Sequence, residues 1–175
     1  GSEMCIRDRY TPIYCGNTSQ PECYHTPGAD AVTFSDKNAY WVCNWVSNMV
    51  YPRYQQMFPD VKAVRDSLEL SYFKKQQAVE EEALRLYKNN KTEAIQYLNQ
   101  YSNETAQQML SRWKQLAIFL IVRYNDMAVK PVKNGQFTRT KTGLGSRVKR
   151  PGFPASYAKE IVRRTGDKYL VPSEK

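Results

Sequence analysis

The stretch Asn38-Ala-Tyr-Trp-Val-Cys-Asn-Trp-Val-Ser-Asn-Met-Val-Tyr-Pro-Arg-Tyr54 decides the fold, because its apolar residues recur at the spacing of an α-helix. One apolar face is made by Ala39, Val42, Cys43, Val46, Met49 and Val50. Trp41, Trp45 and Asn48 lie on a second face, and Pro52 ends the helix or kinks its last turn. With two faces apolar or aromatic, this helix should be the most buried element. Some of Trp41, Trp45 and Tyr51 should nevertheless stay partly exposed and form an apolar patch.

The residues before this helix predict one or two short strands. Residues 10–15 alternate like a strand, and Pro12 suits an edge strand or a strand start. Residues 16–28 are rich in Gly, Asn, Ser and Pro, which is typical of a loop. Residues 31–34 predict a second short strand.

The residues after this helix predict further helices. Pro59-Asp60 is expected to open a long one, with Asp60 as its cap, and Asn89-Asn90 to stop it. Residues 92–98 predict a short helix, and Ser102-Asn-Glu-Thr105 predicts the cap of another that ends near Tyr124. After Lys130-Pro131 the regularity falls away. A last helix is expected over residues 155–164, and the fold class is mostly α.

The net charge of +9 is concentrated in the tail. Residues 1–130 hold 15 Lys or Arg and 14 Asp or Glu, a balance of +1, whereas residues 131–175 hold 11 and 3, a balance of +8. We interpret the tail as a solvated surface, and a nucleic-acid-binding module is the alternative. The run 139–150 has no aromatic residue to stack on bases, which argues against single-strand binding. Residues 131–151 should be the least ordered internal stretch.

Few residues carry obvious chemistry. Asn44 and Asn48 are one helical turn apart, so their amides could hold an oxyanion or a substrate carbonyl, or could simply satisfy nearby backbone groups. A metal site on Cys15, Cys23 and His25 has unsuitable spacing, so we predict no metal and no cofactor. The consecutive carboxylates of residues 80–82 fan apart on a helix and should form a solvated face. No run approaches the roughly 18 apolar residues of a membrane span.

An ordered set of motifs extends over about residues 10–172. The set comprises Pro12/Tyr14/Gly16/Thr18, Pro21/Glu22/Tyr24, Asn38/Ala39/Trp41/Val42/Asn44/Val46/Asn48, Arg112-Trp-Lys-Gln-Leu116, Tyr124-Asn-Asp126, Gly152-Phe-Pro154 and Thr165-Gly-Asp-Lys-Tyr169. Together they resemble the latter half of the bacterial cysteine dipeptidases of the dipeptidase A type, the N-terminal-nucleophile hydrolases numbered sixty-nine among cysteine peptidase families. Two features depart from the pattern. The usual Asp-Gly after the second long helix is Asp126-Met127, and residues 138–150 are unusually basic.

The resemblance implies a C-terminal fragment of an α+β hydrolase with an αββα sandwich. Its catalytic Cys would be the first residue of the mature enzyme, upstream of Tyr10, with the α-amine of the chain as base and an acyl-enzyme as intermediate. The implied partners are a dipeptide substrate, held in part by Asn44 and Asn48, and the N-terminal half of the same protein, with no nucleic acid or membrane. A bacterial cytoplasmic, periplasmic or secreted location is compatible with this. A basic nucleic-acid-binding module and a helical interaction module without catalysis are the alternatives.

The chain divides into three parts on this interpretation. Residues 1–9 do not join smoothly to the rest, and Met4-Cys-Ile-Arg-Asp8 matches one reading frame of a common sequencing-transposon end. We interpret them as a sequencing or assembly artefact, so Cys5 should not be the nucleophile. Residues 10–130 should form the C-terminal portion of the hydrolase domain, and residues 131–175 a basic loop and a final short helix.

Overall fold

The computed structural model of the chain describes residues 11–14, 21–25, 32–139, 141 and 155–169. These residues are mostly helical, which confirms that part of the predicted fold class. The α-helices are α1 (Ala39–Val50), α2 (Tyr54–Asn89), α3 (Lys91–Tyr124) and α4 (Ala155–Thr165). The strands are β1 (Val132–Lys133) and β2 (Gln136–Phe137). Short 3₁₀ turns lie at Glu22–Tyr24, Tyr51–Arg53, Asn125–Met127 and Gly166–Tyr169. The chain forms two compact units, Gly1–Val122 and Arg123–Lys175.

Helix α1 begins and ends where its sequence predicts. The Asn38 side chain accepts a hydrogen bond from the Tyr40 N–H at 2.9 Å, which satisfies one of the orphan donors at a helix start. The Tyr51 N–H donates to the Ser47 carbonyl, and the chain then turns into the 3₁₀ segment that contains Pro52. Five of the 12 residues of α1 are buried, compared with six of the 36 in α2. A large share of this short helix therefore belongs to the core.

Helix α2 begins at Tyr54, so the prediction that Pro59-Asp60 opens it is wrong. Pro59 lies inside the second turn, where it removes only one backbone donor. The Tyr54 and Phe58 rings stack with centroids 4.6 Å apart, a pair at i and i+4 that supports the first turn. Met57 and Val61 are buried on either side of Pro59. The burial of these side chains offsets the cost of the proline.

A single residue, Asn90, joins α2 to α3. Its N–H donates to the Leu86 carbonyl at 2.7 Å, and its side-chain oxygen accepts from the N–H groups of Thr92 and Glu93 at 3.0 and 3.3 Å. Asn90 therefore closes one helix and caps the next. The Tyr72 hydroxyl of α2 donates to the Thr105 carbonyl of α3 at 3.1 Å, so the two long helices fold back on each other.

Helix α3 is continuous, so the predicted break between a short helix at 92–98 and a cap at Ser102 is wrong. The Ser102 hydroxyl donates to the Leu98 carbonyl at 2.9 Å, and the Thr105 hydroxyl donates to the Tyr101 carbonyl at 3.0 Å. Hydroxyls bonded back to carbonyls four residues earlier are compatible with a helix interior. Both side chains are also buried, and that burial in the core favours helix over turn.

The core of the first unit is built from one face of each helix. Its buried apolar residues include Val42, Val46 and Val50 of α1, Met57, Val61, Leu68 and Tyr72 of α2, and Met109, Trp113, Leu116 and Leu120 of α3. The spacing of three and four residues within each helix puts these side chains on one stripe.

The strands predicted near the start of the chain are absent from residues 11–14 and 32–34, which is a correction. Residues 10, 15 and 31 lie outside the described residues. A strand needs a neighbouring backbone to pair with, whereas Tyr14 lies against α3: its N–H donates to the Ser102 hydroxyl at 3.5 Å, and its ring lies 6.3 Å from that of Tyr101. Thr11 and Tyr24 share a side-chain hydrogen bond of 2.9 Å. These contacts hold the segment without a sheet.

The second unit contains a hairpin where no regular structure was predicted. Strands β1 and β2 pair antiparallel, with Val132 opposite Phe137. Asn134 and Gly135, the two turn residues, have φ of +51° and +75°. An Asn-Gly pair suits a two-residue turn with positive φ at both positions, and this was the signal in the sequence. Residues 132–137 therefore form a hairpin, while most of the stretch from 140 to 151 lies outside the described residues.

The 3₁₀ turn after α3 holds a residue in an unfavourable conformation. Met127 has φ of +58°, in the left-handed region that favours glycine, and it occupies the position where the resembling pattern has Gly. Met127 is 62% exposed, so removal of its side chain eliminates little buried apolar surface. We expect Met127→Gly to raise the free energy of unfolding by about 0.5–1 kcal/mol, measured by urea denaturation.

Asn134→Gly is the matched control for Met127→Gly. Asn134 also has positive φ, but asparagine tolerates that region, so its replacement should change the free energy of unfolding by less than about 0.5 kcal/mol. Destabilisation by Met127→Gly would show that the Met127 side chain contributes more than its backbone conformation costs.

Candidate functional site

The candidate site is the side of α1 that points away from the core. Residues advance by about 100° around an α-helix, which puts Asn48 about 180° from the buried Ala39. Trp41, Asn44 and Trp45 fall on the same side as Asn48. We call the four residues Trp41, Asn44, Trp45 and Asn48 the Trp/Asn face. The periodicity that buries one face of α1 thus presents two indoles and two amides on the other.

The Trp/Asn face carries two asparagine amides. Asn44 is half-buried and Asn48 is exposed. Neither side chain makes a hydrogen bond to another described residue. Because α1 is regular from Ala39 to Val50, the two amides lie on one side of the helix and one turn apart. Each amide can both donate and accept, so the pair can bind carbonyl and N–H groups of a ligand.

The aromatic rings on and next to the Trp/Asn face are only partly covered. Phe34 meets Trp41 and Trp45 edge to face, with centroids 5.8 and 6.4 Å away, and Tyr40 meets Trp41 at 5.4 Å. Trp41 and Trp45 are half-buried, while Phe34 is 58% and Tyr51 is 52% exposed. The expected partial exposure of the aromatic face is therefore confirmed. Sequence analysis placed Phe34 in a short strand and did not assign it to this site. The turn-forming residues Ser35-Asp-Lys37 directly after it were a signal against that strand.

The cysteine that the structure places near α1 is poorly suited to nucleophilic attack. Cys23 is buried in the Glu22–Tyr24 turn, and burial raises the pKa of its thiol to about 11. Only a small fraction is thiolate at neutral pH, and the thiolate is the nucleophile. Cys5 and Cys15 lie outside the described residues.

The other candidates for chemistry are surface groups. Glu80, Glu81 and Glu82 bond to Gln76, Gln77 and Arg85 along the outside of α2, as predicted for a solvated face. Cys23 is buried while His25 is exposed, and within the described ranges no cluster of His, Cys, Asp or Glu could hold a metal ion. In the same ranges no helix is long and apolar enough to cross a membrane.

A family model matches the N-terminal part of the chain. Residues 3–67 match the model of peptidase family C69. This part of the chain is similar to that family of cysteine peptidases. The matched residues include the Glu22–Tyr24 turn and the whole of α1 with its Trp/Asn face, and they end within α2. No curated protein and no solved structure matches the chain. The similarity to family C69 supports a peptidase, and the Trp/Asn face lies in the part of the chain that carries the match.

Proposed function

We propose that this chain is the C-terminal part of a cysteine dipeptidase of family C69. In the intact enzyme a thiolate on an N-terminal cysteine, upstream of Tyr10, would attack the peptide carbonyl and form an acyl-enzyme that water hydrolyses. The observation that carries the proposal is the family match over residues 3–67, which contains a partly exposed face whose two amides make no hydrogen bond to another described residue. The expected αββα sandwich and the N-terminal-nucleophile mechanism belong to this proposal.

Asn44 and Asn48 are proposed to bind the dipeptide. Four residues of α-helix rise about 6 Å, and an extended dipeptide spans about 7 Å, so the two amides are spaced to contact both residues of such a substrate. An amide N–H directed at the reacting carbonyl would stabilise the oxyanion that develops there. Trp41 and Trp45 would supply apolar contact beside the amides.

The aromatic residues around the Trp/Asn face are proposed to pack against the catalytic half of the enzyme. Phe34 and Tyr51 are more than half exposed, and both lie next to or on α1. A cluster of exposed aromatic rings is typical of an interface. Packing of the β-rich half onto α1 would bring the N-terminal thiol to the amides. Cys23, buried and with its pKa raised to about 11, is not assigned this role.

Reconstitution tests the proposal. The purified chain would be assayed on Leu-Leu and Ala-Ala, alone and after co-expression with the N-terminal half of a family C69 dipeptidase that begins with its catalytic cysteine. We expect no hydrolysis by the chain alone, and co-purification with hydrolysis in the presence of the added half. Hydrolysis by the chain alone that Cys5→Ala abolishes would contradict both the position of the nucleophile and the artefact assignment of residues 1–9.

Paired amide substitutions test the binding residues. In the reconstituted enzyme, Asn44→Ala with Asn48→Ala should lower kcat/KM by about 10²-fold, the effect of losing an oxyanion donor, while complex formation is retained. Gln107→Ala with Gln108→Ala is the matched control, because these two amides are exposed on α3, and it should leave kcat/KM unchanged. Equal rates for the two double variants would remove Asn44 and Asn48 from the site.

A further inference from the structure

Cys23 and Cys43 lie on two elements that pack against each other. Cys23 is the middle residue of the Glu22–Tyr24 turn, and its side chain is 1% exposed. Cys43 lies on the buried side of α1, between Ala39 one turn earlier and Val46. Both residues are present as thiols in the structure.

The turn is held against the first part of α1. The Asn38 side-chain N–H donates to the His25 carbonyl at 2.9 Å, which fixes the residue after the turn to the helix cap. Cα atoms of the turn and of α1 lie within 8 Å of one another. Burial raises the pKa of Cys23 and of Tyr24, and the electrostatic influence of Cys43 adds to both shifts.

We propose that Cys23 and Cys43 are a modification site at which a low-molecular-weight disulfide, such as oxidised glutathione, forms an intramolecular disulfide. The bond would fasten the Glu22–Tyr24 turn to α1. A disulfide needs Cα atoms about 4.4–6.8 Å apart, a separation that two packed elements can reach. The inference does not depend on the proposed dipeptidase function.

The reaction proceeds by two thiol–disulfide exchanges. Cys43, which is half-buried, meets the reagent first: its thiolate attacks one sulfur of oxidised glutathione, forms a mixed disulfide and releases one glutathione thiol. The Cys23 thiolate then attacks the Cys43 sulfur and releases the second glutathione. Two protein thiols are oxidised and one glutathione disulfide is reduced, so atoms and electrons balance. Since burial raises the pKa of Cys23, the second exchange should accelerate as pH rises toward about 11.

The crosslink has a measurable consequence for stability. It would close a loop that begins in the turn, passes through the Asn38 cap and ends in the second turn of α1. Closing a loop of this size restricts the unfolded chain, so the Tm of the oxidised chain should rise by about 5–10 °C. Reduction with dithiothreitol should reverse the rise.

Peptide mapping of the full chain tests the proposal. The reduced chain would be incubated with oxidised glutathione at mildly alkaline pH, digested without reduction and examined by mass spectrometry. We expect the peptide that contains Cys23 to be joined to the peptide that contains Cys43, with the loss of two hydrogen atoms. A Cys15–Cys43 link, or a stable glutathione adduct on Cys43 without a crosslink, would overturn the proposal.

Variants provide the controls. Cys43→Ser should abolish both the crosslink and the rise in Tm, whereas Cys5→Ser with Cys15→Ser should retain both. Because the mapping is done on the unaltered chain, the result stands even where substitution of the buried Cys23 prevents folding. A rise in Tm that persists in Cys43→Ser would show that another pair of thiols is responsible.

Discussion

Replacement of Leu120 by alanine is expected to lower the free energy of unfolding by about 2–5 kcal/mol, the range for deletion of a large aliphatic side chain from a core. Leu120 is 0% exposed, and it follows Trp113 and Leu116 on the stripe of α3 that faces the core. The cost combines the lost transfer of the side chain out of water with the cavity left behind. Urea denaturation, monitored by tryptophan fluorescence, measures the change. The slope of the free energy of unfolding against urea concentration should be the same for the variant and the original chain.

Ile118→Ala is the matched control on the same helix. Ile118 has the same number of side-chain carbons as Leu120, but it is 58% exposed. Its replacement should change the free energy of unfolding by less than about 0.5 kcal/mol, as is usual for surface positions. Equal losses for the two variants would mean that the stripe of Leu120 is not the buried side of α3.

Replacement of Asn38 by alanine is expected to lower the free energy of unfolding by about 2–3 kcal/mol, the sum of a lost helix cap and a lost buried hydrogen bond. Asn38 is 4% exposed and uses both ends of its amide. The oxygen accepts from the Tyr40 N–H at 2.9 Å, and the nitrogen donates to the His25 carbonyl at 2.9 Å. One side chain therefore starts α1 and attaches the preceding turn to it.

Two further variants separate the roles of Asn38. Asn38→Ser keeps a cap acceptor but cannot reach as donor to the His25 carbonyl, so its loss should be smaller than that of Asn38→Ala. Asn48→Ala removes an exposed amide from the same helix and should change the free energy of unfolding by less than about 0.5 kcal/mol. If Asn38→Ala lowered the free energy of unfolding no more than Asn48→Ala, neither hydrogen bond of Asn38 would contribute to stability.

Local signals predicted several elements correctly. Pro52 was expected to end α1 and Asn89-Asn90 to end α2, because residues that stop a helix act within one turn of their own position. The hairpin at Asn134-Gly135 was also predictable in principle, since positive φ at both turn residues is a local property. The hairpin was not predicted because the Asn134-Gly135 pair was not interpreted as a turn.

Other features depended on contacts between distant residues. Ser102 and Pro59 are weak helix formers, so sequence reasoning placed boundaries at both, yet buried neighbours hold both inside long helices. The predicted strands near the start failed for the same reason, because Tyr14 lies against Tyr101 and Ser102 of α3, far along the chain. The side of α1 that bears Asn44 and Asn48 was predictable from the helical period. Phe34 joined that site only through its ring contacts with Trp41 and Trp45.

By itself the sequence determined the mostly helical class, the start and end of α1, the two faces of that helix and the similarity of residues 3–67 to family C69. These depend on periodicity, caps and motif order, which are properties of neighbouring residues. Only the tertiary structure decided that α3 is unbroken, that Cys23 is buried on a turn packed against α1, and that Phe34 contacts the rings of Trp41 and Trp45. Burial is a property of the whole folded chain: whether a hydroxyl, a thiol or an indole meets water depends on residues that no local window contains.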